Sequence, residues 1–103
     1  MRPLESILQE LRTFRPANED WRPFDALLSE LWAAGVHEEH LPQLFDVFER
    51  FPEDDGAGVL WGIVHGVEAL PFDHEDALTS SLARRESHMG EVMLRRLEKS
   101  RSP

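Results

Sequence analysis

Leu4, Ile7, Leu8 and Leu11 recur at the three- and four-residue spacing of one helix face, which predicts a helix over 4–13. Pro16-Ala17-Asn18 interrupts that pattern. It resumes with Phe24, Leu27, Leu28, Leu31 and Trp32, predicting a second helix over 22–34, with Asp20 as a cap, Pro23 in the first turn and Gly35 as terminator. Leu41, Leu44, Phe45, Phe48 and Phe51 predict a third helix over 41–51, preceded by a helical turn through His37-Glu38-Glu39-His40. After a loop at 52–56, a fourth helix is expected over 57–70, stopped by Pro71. Asp73, with Asp76 three residues on, opens a fifth over 74–85. Ser87 caps a sixth over 88–99, whose Met89, Val92, Met93 and Leu97 face inward, and residues 100–103 are expected to fray. No segment carries the two-residue alternation of a strand.

Short connections make consecutive helices antiparallel neighbours. The expectation is therefore all-α: about six short antiparallel helices, in three hairpins, forming either a short HEAT-like solenoid or an irregular bundle. A chain of 103 residues, 41% hydrophobic and 30% charged, supports a single helical domain over 1–103.

Charge narrows the partners. Residues 1–36 hold six acids and four bases, residues 37–76 eleven acids against Arg50 alone, and residues 77–103 three acids and six bases. The central segment thus carries −10, more than the whole chain's −9, because the flanks together contribute +1. That field opposes nucleic acid and anionic lipid and draws a basic protein. The plainer reading is a solvated acidic surface, with several acids favoured at helix N-termini. There is no cysteine, which removes disulfides, thiolate metal sites and a cysteine nucleophile. No run of about 18 apolar residues exists, and Met1-Arg2-Pro3-Leu4-Glu5 does not read as a secretory signal, so a cytoplasmic protein is expected.

The fourth segment holds the densest candidate chemistry. Leu60, Ile63, Val64 and Val67 make one face, Gly58, Gly62 and Gly66 a second, and Trp61, His65 and Glu68 a third. Each mid-helix glycine costs about 1 kcal/mol against alanine, so three in series predict close approach of another backbone. The Trp61-His65-Glu68 stripe reads either as a recognition surface with an aromatic anchor or as a half-buried seam where Glu68 accepts a hydrogen bond. No nucleophile stands at a catalytic spacing and no glycine-rich loop follows a strand, so no enzyme is expected. His37 with His40, His65 with Glu68, and His74 among Asp73, Glu75 and Asp76 are pairs without a complete ligand set; no metal and no cofactor are expected.

Pro52-Glu53-Asp54-Asp55-Gly56, then Leu60-Trp61-Gly62-Ile63-Val64-His65-Gly66-Val67-Glu68, then Leu78 to Leu82 and Met93-Leu94-Arg95-Arg96-Leu97, resembles small acidic bacterial immunity proteins of polymorphic or contact-dependent toxin systems. The similarity spans roughly residues 20–99. It implies a HEAT-like helical protein that binds one cognate toxin and occludes its active site, and it brings no catalytic residue and no contact residue with it. A generic helical adaptor or regulator is the rival reading. On charge and exposure, the expected partner-binding residues are Glu53, Asp54 and Asp55 first, then Glu38, Glu39, Glu49, Asp73, Glu75 and Asp76, with Trp61, His65 and Glu68 from the stripe.

Overall fold

The computed structural model describes residues 2–101, Arg101 by its backbone alone. The expected fraying at 102–103 lies outside the described residues. Six α-helices form: α1 Leu4–Thr13, α2 Arg22–Ala34, α3 Leu41–Arg50, α4 Trp61–Glu68, α5 Glu75–Arg84 and α6 His88–Arg101. Short 3-10 turns, Glu38–His40 and Gly56–Gly58, precede α3 and α4. Among the described residues the only β-type pairing is an isolated bridge, Ala17 to Asp20.

Boundaries follow local chemistry. The first two helices have the predicted limits. The Arg22 amide donates to Asp20 Oδ1 at 3.1 Å, so Asp20 caps α2 from one residue outside its N-cap, Trp21. The Gly90 amide donates to Ser87 Oγ at 3.0 Å, the expected cap of α6. Helix α6 runs through Arg101, two residues past its predicted limit at 99.

The fourth helix departs most from expectation, starting at Trp61 and ending at Glu68 instead of covering 57–70. Gly56, Ala57 and Gly58 all have positive φ, at 61°, 53° and 91°, a left-handed run no right-handed helix contains. Gly56 is required there for space as well, since a Cβ would lie 2.9 Å from Leu60 Cγ and 3.1 Å from the Trp21 ring. Gly58 therefore leaves the glycine face. Gly62 and Gly66 remain on it, and what approaches them is side chain, not backbone. A Cβ at Gly62 would meet Leu28 Cδ1 at 3.1 Å, and one at Gly66 would meet the Trp32 ring at 2.1 Å.

Two layers result. Helices α1, α3 and α5 lie side by side in one, and α2, α4 and α6 form the other. Polar cross-links fix the direction of the first layer. Arg50, in the last turn of α3, donates to the carbonyls of Leu11 at 2.6 Å and Phe14 at 3.1 Å, closing the C-terminal end of α1. Glu49 accepts from Ser81 Oγ at 2.8 Å and from Arg84 at 3.0 and 3.1 Å, near the end of α5. All three helices thus end on the same side, here called the foot; the side where they begin is the head.

One continuous apolar cluster, drawn from all six helices, lies between the layers, with Phe24, Phe45, Phe48, Leu8, Leu44, Ile63 and Leu78 fully enclosed. Phe14, Trp21, Phe24 and Phe51 close it at the foot, their ring centroids 4.9–5.6 Å apart. The radius of gyration, 13.2 Å, matches the ~13 Å of a compact domain of this length. Of the three expected hairpins, α1 with α2 and α5 with α6 pack as antiparallel pairs, whereas α4 packs on α2 and α6 rather than on α3.

Candidate functional site

The strip Trp61, His65, Glu68 lies on one side of α4 because those positions are four and three residues apart. The rings of Trp61 and His65 stack, centroids 5.8 Å apart at 29°. Arg96, from the middle of α6, completes the group. Its guanidinium donates twice to Glu68, both bonds at 2.8 Å, and lies over the Trp61 ring at 5.8 Å from the centroid. The hydrogen bonds from Arg96 hold the Glu68 carboxyl below its usual range, against the opposing effect of burial. His65 is exposed and Trp61 half-buried. The strip is therefore a seam between α4 and α6 on its Glu68 side and an accessible aromatic plate on its Trp61 side. No periodicity signals Arg96, since 28 residues separate it from Glu68.

The acids of 37–76 do not form one face. The chain reverses at each helix, so Glu38, Glu39, Asp73, Glu75 and Asp76 come to the head, beside the starts of α3 and α5. Glu53, Asp54 and Asp55 go to the foot, about 15 Å away along the ten residues of α3. Glu49 is withdrawn from the candidate surface. Burial raises its carboxyl, but the hydrogen bonds from Arg84 and Ser81 outweigh that and hold it below the ordinary range. Its side chain is only 14% exposed. Asp46 pairs with Arg50 at 3.1 Å.

At the foot, Glu53, Asp54 and Asp55 form one wall of an open groove of about 890 Å³. Arg85, Ser87, His88, Glu91 and Arg95 contribute to the other. The His88 amide donates to the Pro52 carbonyl at 2.7 Å and the Gly56 amide to Asp54 Oδ1 at 2.8 Å, fixing both edges. Among the described residues Arg85 and Arg95 form no ion pair with that acidic wall. At the head, Asp73 Oδ1 accepts the Glu75 amide at 3.0 Å, and Glu38 and Glu39 stand exposed on their 3-10 turn. Exposure of a loop acid was legible in composition; its distribution between two ends was not, because it depends on helix direction.

Two of the histidines weighed as metal ligands are buried. His40 is 6% exposed, with Nδ1 accepting the His37 amide at 3.0 Å, and His74 is 9% exposed. Among the described residues no three of His, Asp and Glu are grouped to hold a metal ion, and no helix is long and apolar enough to cross a membrane. A scan against protein-family models, a search of curated proteins and a search of solved structures each found no match to this chain.

Proposed function

We propose that this chain is an immunity protein that binds a cognate bacterial toxin, a basic protein, and neutralises it by occluding its active site. One observation carries the reading. Seven exposed acids of the central segment, Glu38, Glu39, Glu53, Asp54, Asp55, Asp73 and Asp76, form no ion pair with an arginine or lysine among the described residues. Glu10 and Glu30 are matched to Arg2, Asp20 to Arg22, Glu49 to Arg84 and Glu68 to Arg96. The flanks also hold acids unpaired among the described residues, Glu5, Glu19, Asp25, Glu86 and Glu91, but among ten arginines and lysines, where the central segment has Arg50 alone. Unmatched acids leave a negative field outside the protein. Such a field accelerates encounter with a basic cleft and competes with nucleic acid for it. The Trp61–Arg96 plate supplies what the acids lack, a rigid aromatic and cationic anchor of the kind that dominates interface energies.

The test begins with affinity capture from the native host and mass spectrometry to identify the partner. Two charge reversals are then compared with the unaltered chain: Glu53→Lys with Asp54→Lys and Asp55→Lys at the foot, and Glu38→Lys with Glu39→Lys, Asp73→Lys and Asp76→Lys at the head. At least one set is expected to slow association about tenfold or more at low salt and to weaken protection of cells expressing the toxin. Added salt should close the gap, because the Debye length falls from about 10 Å at 0.1 M to about 3 Å at 1 M. Unchanged association and protection in both sets would refute the reading. Capture of a metabolic or regulatory protein would replace it with an adaptor role.

A further inference from the structure

His74 stands immediately before α5, 9% exposed, and its Nε2 is buried without a hydrogen-bond partner. The residue lines a depression of about 470 Å³ with Glu68 from the end of α4 and Arg96, Leu97, Lys99 and Ser100 from α6. It lies close enough to Glu68 to act on that carboxylate electrostatically. The other charged groups of its surroundings are Arg96 and Lys99 on α6 and Asp73, Glu75 and Asp76 in its own segment. Helix α3, which packs along α5, presents no titratable side chain before Asp46; the 3-10 turn ahead of it adds Glu38, Glu39 and buried His40. Asp73 already accepts a backbone amide with one oxygen.

We propose that His74 and Glu68 form a proton-operated switch in which protonation of His74 draws Glu68 off Arg96 and releases the Arg96 guanidinium from the Trp61 ring. The reason is an asymmetry of environments. A protonated, buried imidazole with no acceptor is costly, because both its charge and its N–H are left uncompensated. Arg96 is 44% exposed on its side chain, so water replaces its partner at little cost. A carboxylate shared between the two moves toward the group that cannot be solvated. Glu68 gives up at least one of its two bonds to Arg96, and the two-point clamp that fixes the guanidinium over Trp61 opens. The plate is thus held while the imidazole is neutral and loosened once it takes up a proton. This device rests on the geometry of α4, α6 and His74 and stands or falls apart from the toxin reading.

The complication is His65, a second imidazole, which stacks directly on Trp61. The experiment therefore uses the full chain carrying His65→Gln, with the Trp61 indole N–H resonance, assigned through Trp61→Phe, followed by NMR from pH 8 to 5. The Trp61 resonance is expected to shift with a midpoint coinciding with that of the His74 ring. Adding His74→Gln should abolish the shift. Adding Glu68→Gln instead, in case the His74 variant fails to fold, should leave His74 titrating while Trp61 stays silent. Loss of the Trp61 transition with His65→Gln alone would overturn the proposal. So would its survival in either double variant.

Discussion

The two layers are held by different physics. In the layer of α1, α3 and α5, the cross-links are ionic and directional: Arg50 onto the open carbonyls of α1, and Glu49 onto Ser81 and Arg84 of α5. In the layer of α2, α4 and α6, the close contacts are steric. The Trp32 ring lies on Gly66 and Leu28 on Gly62, with one exposed clamp, Glu68 to Arg96, at the far side. Helices joined by shape tolerate changes of pH and salt but not of volume. Helices joined by hydrogen-bonded charge tolerate small changes of volume but depend on ionisation. Gly66 also explains why α4 accepts two glycines inside only eight residues: the space each leaves is filled from α2.

The largest effect is expected at the steric contact. Gly66→Ala places a methyl group inside the Trp32 ring's volume and should cost about 2–3 kcal/mol, even after about 1 kcal/mol of helix propensity is gained. Chemical denaturation measures it, and an unchanged midpoint would mean the ring swings away freely.

Next comes the ionic layer. Glu49→Gln should lose about 2 kcal/mol at pH 7, since hydrogen bonds to a charged group are exchanged for weaker ones. Because the hydrogen bonds hold the folded-state carboxyl below its ordinary value of 4.5, its contribution is complete above that value. It is lost as pH falls through the lower folded value. The variant should therefore lose less stability than the unaltered chain as pH falls below 4.5, so the two denaturation curves converge in acid. Parallel curves would show that Glu49 contributes packing rather than charge.

A smaller effect is expected for Arg96→Ala, because the clamp to Glu68 is partly solvated. Salt should diminish it further. The smallest belongs to Gly62→Ala, within about 0.5 kcal/mol of zero, since the propensity gain offsets the displacement of one Leu28 methyl group. Together the two alanine substitutions separate intrinsic helix preference from the neighbour's resistance. If Gly62→Ala costs as much as Gly66→Ala, the glycines serve a backbone requirement and not the fit to α2. Gly62→Leu, by contrast, overfills the site and should destabilise by about 1–3 kcal/mol.

Helix positions were legible wherever a stop signal coincided with the end of an apolar period. Gly35 closing α2 and Ser87 opening α6 are examples. The start of α4 was not legible, because three left-handed residues in succession are a conformational fact that periodicity does not register. Ala57 among them carries no glycine signature at all. The candidate site was legible in part. Trp61, His65 and Glu68 share a side of one helix as their spacing requires, but Arg96 joins them through tertiary packing. Glu49 looked available because it is charged, and it is consumed because Ser81 and Arg84 meet it from 32 and 35 residues away. The burial of His40 and His74 likewise depends on neighbours that sequence order does not name.

The side-by-side arrangement of α1, α3 and α5 also bears on how fast the chain folds. Nearly every helix packs against partners one or two places along the chain, α1 on α2 and α3, α5 on α3 and α6, and α4 between α2 and α6. Little chain entropy is spent closing long loops before contacts form, and proteins with such local wiring fold in microseconds to milliseconds. Stopped-flow refolding should accordingly be complete within about a few milliseconds, with its slow residue limited to proline isomerisation at seconds and beyond. A newly made chain with this wiring reaches its folded form almost as soon as its last hairpin is free to dock.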